Sequence, residues 1–572
     1  MISHSTTWRG ALLALGLFYS SQAMGQNPAD DFARQKSEAM RSERIETLTR
    51  QTPRSDAPTV QPVPVGETSA ACFEITRVVV EDAARLGSQI DAVTRPYANT
   101  CIGLPGITEL LRAVTNVYLD RGYITSRAYV PEQDLVASRI LRIKVVEGVL
   151  EKIEINGKDG NGSSTLATAF PGMLGETANM RDVEQGLDQL NRLRSNKAKS
   201  EFLPGTAEGS STLNISLEQS RPWHVTVGNN NLGQESTGYS KSSVAVTYDG
   251  LLGLNDMMSF SYERSGPDYP GGGDGRGSSN SYSGNVSIPW GYWTVSLNGS
   301  WYDYKSMVPA AFSDVETTGT SGQAGFDLER VVQRGADSLT KVHGGLLYKE
   351  TDNFLLGQKL EVGSRRYTVG SFGVSHSQRM FGGLWNFDAQ IDQGLGILGA
   401  IDPGAPAAGE AEPRFTKLYA SLSAARPIDL GFTAFEVNSQ VNMQLSGDNL
   451  LGSEQMALGG WSTVRGSRES KLFGNNGFFV RNEVSWRTNP WQANEVMTSY
   501  LGELRPYLGF DYGQIFRQTR FDIGGGEAYG FTAGTRLGGG RINLDTGFSA
   551  LHVSRRNGGN EQLLFINLST QW

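Results

Sequence analysis

From Arg221 to the last residue the chain alternates. In residues 435–445, Phe435, Val437, Val441, Met443 and Leu445 fall on one face of an extended segment. Glu436, Asn438, Gln440, Asn442 and Gln444 fall on the other. A period of two marks a strand with two unlike faces, and a second face this polar requires water. Residues 414–425 repeat the pattern, with Leu418, Ala420, Leu422 and Ala424 opposed to Lys417, Tyr419, Ser421 and Ser423. Residues 293–301 and 541–551 behave the same way. Such segments number about sixteen, an even count of the kind single-chain bacterial barrels require. Trp290, Trp293, Trp301, Tyr304 and Trp486 lie near strand ends, where interfacial girdles are expected. Two Gly/Pro-rich breaks, residues 267–280 and 401–413, suit external loops. At the end of the chain Leu564, Ile566, Leu568 and Trp572 share a face. The expected fold class is therefore a membrane β-barrel over residues 221–572. A soluble β-protein is the alternative, and it would rarely keep this pattern to its final residue.

The first part of the chain has helical periodicity instead. Residues 107–122 place Ile107, Leu110, Leu111, Val114 and Tyr118 on one helical face. Strands are expected at 72–81, 123–130 and 139–148, which makes residues 72–148 an α+β unit. The order then repeats over 149–220. In this second unit Val183, Leu187, Leu190 and Leu193 line a helix that Asn179 can cap. The edge strands of two such units suit an extended client peptide added as a further strand; the alternative is that they are only spacers.

Residues 1–23 read as a secretory signal, with Arg9 before the apolar run 11–18 and a small-x-small site at Ser21-Gln22-Ala23. The chain is thus expected to be exported. Cys72 and Cys101 are the only cysteines, and an even pair in an exported protein reads as a disulfide worth about 3 kcal/mol; two buried thiols are the alternative. Residues 24–52 contain a helix with almost no apolar stripe beyond Phe32, Ile45 and Leu48. A helix polar all round is either bathed in water or unstable: a water-filled lumen suits it, as a plug, and a disordered tail is the alternative. Residues 53–71 are rich in Pro, Thr and Ser and read as a linker.

Composition agrees. Of 572 residues, 38% are hydrophobic and 70 are Gly. Barrel strands average to near-polar, so the negative mean hydropathy fits. No apolar run of about 18 residues is present, so no transmembrane helix is expected. A net charge of −8 argues against a nucleic-acid partner. His4, His224, His343, His376 and His552 are scattered, and no nucleotide loop, metal cluster or nucleophile constellation is evident. Neither an enzyme nor a cofactor is expected.

One stretch stands out, Val464-Arg465-Gly466 with Gly459 and Gly460 before it, in a loop near 453–477. Its counterpart is Asp511, between Gly509 and Gly513. In residues 505–516, Leu508, Phe510 and Tyr512 face one way and Tyr507, Gly509, Asp511 and Gly513 the other. The apolar set belongs to lipid, so Asp511 is expected in the lumen. A buried carboxylate needs a partner, and an inward-folded loop would bring it Arg465, whose guanidinium forks onto carboxylates. Flanking glycines let two backbones approach. The alternative is a surface hairpin with an incidental arginine.

The stretches CFEI with the later Cys, GYITSRAYVPEQDL, VVEGVLEKIEI, MRDVEQGLDQLNRLRSN, RPWHVTVGNNN, GGWSTVRG, FFVRNEVSW and GFDYG resemble the outer-membrane transporters of two-partner secretion. These are the TpsB proteins, of the haemolysin-activator and filamentous-haemagglutinin transporter type. Their superfamily also holds the barrel-assembly factor. The resemblance covers nearly the whole mature chain. It implies two periplasmic POTRA domains, a sixteen-stranded barrel, a plug helix, and a loop Arg (Arg465) pairing with a wall Asp (Asp511). The Cys72–Cys101 pair looks like the haemolysin-activator branch, while Ser467 departs from the aromatic usual after Arg-Gly.

The expected function is translocation of an unfolded exoprotein (TpsA type) to the cell surface without ATP. The cargo class would be a haemolysin, an adhesin or a contact-dependent inhibition toxin. Further expected partners are outer-membrane lipid and the barrel-assembly machinery, which would read Trp572; the chain itself is expected to be a monomer. The alternative is an assembly factor inserting other outer-membrane proteins, and a porin or nutrient receptor is a third class.

Overall fold

In a computed structural model, the structure describes residues 27–52, 72–83, 85–160, 162–207, 209–266, 277–308, 314–431, 433–521, 523–554 and 558–572. The signal segment 1–23, the linker 53–71 and most of the break at 267–280 lie outside the described residues.

Sixteen antiparallel strands close into a barrel, from Trp223–Asn230 to Asn560–Gln571, with a two-residue ladder (Gln358–Lys359) in one hairpin. First and last strands pair through Thr226–Asn230 against Asn567–Gln571 in antiparallel register. The alternation sets what faces where. Leu508, Phe510, Leu564 and Ile566 are exposed on the outside, while Lys417, Asn442, Gln444 and Asp511 are buried inside. The girdle expectation needs one correction. Trp290, Trp293, Trp301 and Trp486 are exposed outside, but Tyr304 is buried. It lies an odd number of residues from Trp293 and Trp301 on the strand Trp293–Val308, so its ring points into the lumen.

The first α+β unit holds a three-stranded sheet, Arg77–Glu81 and Arg127–Tyr129 flanking Ile140–Val146. Helix Leu104–Leu119 buries Ile107, Leu110, Val114 and Tyr118. The strand expected over 72–81 is split at Thr76, whose N–H and hydroxyl both donate to the Arg139 carbonyl. Phe73–Ile75 then pairs with Thr100–Ile102, and Cys72–Cys101 ties the two together as a disulfide. The strand expected at 123–130 shrinks to Arg127–Tyr129, because Tyr123 and Ser126 close a turn before it.

The second unit is a four-stranded sheet backed by helices Ser164–Ala169 and Met180–Asn191. Asn179 caps the longer helix, accepting from Arg181 N–H at 2.8 Å. This unit docks on the barrel's short turns. Gln185 and Gln189 donate to the Gly291 carbonyl at 3.0 and 2.7 Å, and Arg334 meets Asp188 at 2.5 Å. The short turns are therefore the periplasmic side.

Candidate functional site

The lumen is closed by two bodies. One is the segment between the strands Ala434–Ser446 and Gly477–Arg487. It folds inward as a small hairpin, Met456–Leu458 against Leu472–Gly474. Leu458, Val464 and Leu472 pack with Ile515, Ala528, Leu551 and Val553 of the wall in one buried apolar cluster. The inner wall is thus apolar where the hairpin lies on it.

At the hairpin tip Arg465 is 1% exposed and Asp511 fully buried. The guanidinium is bidentate on Asp511, with Nε to Oδ2 and Nη2 to Oδ1 both 2.7 Å, and the Arg465 backbone N–H adds a third bond at 3.0 Å. Nη1 reaches a second carboxylate, Glu483, at 2.8 Å. Glu483 in turn accepts from Arg536, whose Nε meets Asp545 at 3.0 Å. Charge-assisted forks of this kind are strong and directional. Glycines make room for them. A Cβ on Gly509 would run into the Arg465 guanidinium, one on Gly513 into Leu458 and Val464, and one on Gly530 into the Arg465 carbonyl. Gly466 has φ +129°, and a Cβ there would meet the Ala550–Leu551 backbone.

The second body is the helix Pro28–Gln51, capped by Asn27. It runs down the polar lumen and touches many strands singly. Asp30 meets Arg365 at 2.5 Å, Lys36 donates to Ser283 at 2.8 Å, Arg41 meets Asp392 at 3.1 Å and Arg44 donates to Gln390 at 2.7 Å. Phe32 stacks on Tyr302 at 4.5 Å, and Leu48 is buried against Val331 and Leu339. The helix also touches the loop: Ser462 donates to Glu38 at 3.0 Å and Arg34 donates to the Gly452 carbonyl at 3.1 Å. At the loop's base Glu454 is 4% exposed between Lys349 and Lys417, 2.5 and 2.6 Å away.

With this geometry in view, comparison with known proteins is decisive. Residues 209–537 match the model of the haemolysin secretion/activation protein ShlB/FhaC/HecB. Residues 73–148 match the ShlB-type POTRA domain and 149–204 a POTRA domain. The chain belongs to the ShlB/FhaC/HecB family. It is 32% identical over 532 residues to the outer membrane transporter CdiB of Escherichia coli, covering 92% of this chain and 87% of that one. It is 31% identical over 449 residues to the hemolysin transporter protein ShlB of Serratia marcescens, covering 78% of this chain and 76% of that one. Among solved structures, CdiB from Escherichia coli superposes with a TM-score of 0.84 at 29% identity, covering 96% of this chain and 100% of the other.

Of the residues singled out from the sequence of this family member, Arg465, Gly466, Gly509, Asp511 and Gly513 come together at the loop tip. Cys72 and Cys101 sit apart, in the first POTRA domain. Trp572 is exposed outside the barrel at the closing seam, its N–H donating to the Val225 carbonyl at 2.9 Å. Sequence reasoning missed Glu483, Arg536, Gly530 and Glu454. Strand phase was a usable signal for Glu483, because Arg481, Glu483 and Ser485 alternate with the outward Val484 and Trp486. Glu454 lay beyond reach, since only the fold brings Lys349 and Lys417 to it.

Proposed function

We propose that this chain is the outer-membrane half of a two-partner secretion pair, carrying an unfolded TpsA-type exoprotein from the periplasm to the surface. The POTRA domains receive an extended segment of the client along an open sheet edge. Asn196–Pro204 is such an edge, with Leu203 exposed. The helix Pro28–Gln51 then vacates the lumen and the client threads the polar wall. Folding of the client outside supplies the direction, so no nucleotide is consumed. The Arg465–Asp511 pair holds the inward loop in register, with Gly466, Gly509 and Gly513 giving it room. Trp572 marks the last strand for the barrel-assembly machinery.

The observation that carries this reading is that a helix held mainly by polar contacts fills the lumen beside a loop held by apolar packing and a buried ion pair. Planar-bilayer conductance of the purified protein, with and without residues 24–52, tests it. Small, flickering conductance that becomes large and steady on deletion is expected. Equally large conductance in both forms would reject the helix as a seal.

A further inference from the structure

Where both POTRA domains meet the barrel rim, a cleft of about 560 Å³ opens. Its barrel side is the hairpin around Gly291, with Trp290, Trp293 and Arg330. Trp290 is 57% and Trp293 37% exposed, on the same outward face as Val295 and Leu297. The cleft is thus continuous with the lipid-facing belt and lies at the height of periplasmic headgroups. Arg330 is exposed and stacks over the Trp293 ring at 4.8 Å, cross-strand from it. Among the described residues it has no carboxylate partner. The opposite wall, from the second POTRA domain, is acidic. Asp182 accepts from the Tyr292 hydroxyl at 2.5 Å. The exposed Glu176 lines the same cleft but is already paired with Arg85 of the first POTRA domain at 2.9 Å.

An unpaired guanidinium on an indole, at a membrane interface, with the Asp182 carboxylate in the same cleft, is complementary to a zwitterion whose tails lie along the barrel. We propose that this cleft binds one phospholipid of the periplasmic leaflet with an ethanolamine headgroup. The phosphate sits on Arg330, whose planar donors match its oxygens. The ammonium faces Asp182, and the acyl chains run up past Trp290 and Trp293, whose rings favour this depth. The lipid then braces the angle between POTRA domains and barrel. An extended peptide is the competing occupant, and it would not need Arg330 and the acyl belt together.

The test is native mass spectrometry of the full-length protein. It is released from nanodiscs holding equal amounts of phosphatidylethanolamine and phosphatidylglycerol, and wild type is compared with Arg330→Gln and Asp182→Asn. Heat-modifiable gel mobility checks that each variant keeps a closed barrel. Wild type is expected to retain one phosphatidylethanolamine per chain, in preference to phosphatidylglycerol. Arg330→Gln should lower retention of both lipids about tenfold, the worth of one charge-assisted bond pair. Asp182→Asn should remove the preference for ethanolamine while leaving phosphatidylglycerol bound. Equal retention by wild type and Arg330→Gln would overturn the proposal. So would displacement of the lipid-free cleft's contacts by an exoprotein fragment in proteins that never carried lipid.

Discussion

The two bodies in the lumen are held in opposite ways. The loop is held by burial. Val464 and Leu458 are fully buried, Arg465 and Asp511 are sealed from water, and glycines in the loop and on two wall strands let the loop lie close against the wall. The helix is held by breadth. Its contacts are mostly single hydrogen bonds and ion pairs, spread over many strands, with Phe32 and Leu48 as its apolar anchors. A hydrogen bond that can be exchanged for one to water contributes only about 0.5–1.5 kcal/mol net. A buried ion pair that loses one member leaves a stranded charge and costs about 3–5 kcal/mol. One lumen therefore holds a wedge fixed by burial and, under the proposed function, a stopper that can leave. The stopper's polar contacts are of the kind a passing unfolded chain can also make.

The largest effect should come from breaking the wedge. Asp511→Ala is expected to destabilise the docked loop by about 3–5 kcal/mol and to abolish secretion of the partner exoprotein. Loop protection in hydrogen exchange and exoprotein in culture supernatant report the two. Arg465→Ala should match it, and the double variant should lose little more than either alone, because the two residues act as one unit. Gly530→Ala should cost less, about 1–3 kcal/mol, since a methyl meets the Arg465 carbonyl without removing a charge. Protease nicking within 459–470 would detect it, and unchanged nicking would show that the wall yields. For the stopper, Arg41→Ala removes the pair with Asp392 and the stacking over Tyr419 at 4.1 Å, but Lys417 still partners Asp392, so the loss is about 2 kcal/mol. Openings in single-channel records should become more frequent while secretion persists. The smallest effect belongs to Glu46→Ala. Its pair with Arg50 is 68% and 54% exposed, and such pairs contribute little; single-channel records should not change. If Arg41→Ala and Asp511→Ala proved equally damaging to secretion, the contrast between wedge and stopper would fail.

Legibility in the sequence follows the same divide. The phase of Leu508, Phe510 and Tyr512 put Asp511 inside the barrel without coordinates, because lipid dictates one face of every strand. The helix at 24–52 was legible as a plug through the family resemblance, while its residues alone suited a disordered tail equally. Its polarity fits water as well as a lumen, and only the wall residues Arg365, Asp392 and Gln390 distinguish the two. Tyr304 was misread for a related reason: an aromatic near a strand end signals a girdle only when its phase is outward.

The architecture was legible in the order of residues alone. Alternation over residues 221–572, helical periodicity in two tandem units and paired cysteines follow from which solvent each face meets, and that is a local property of the chain. The partners of the buried charges came from the folded chain. Glu483 and Arg536 joined Arg465, Glu454 settled between Lys349 and Lys417, and Arg330 came to line the same cleft as Asp182. Those meetings depend on strand register and on the path of a loop through the lumen. A pattern of period two sets which face a residue takes but not its neighbour across the pore.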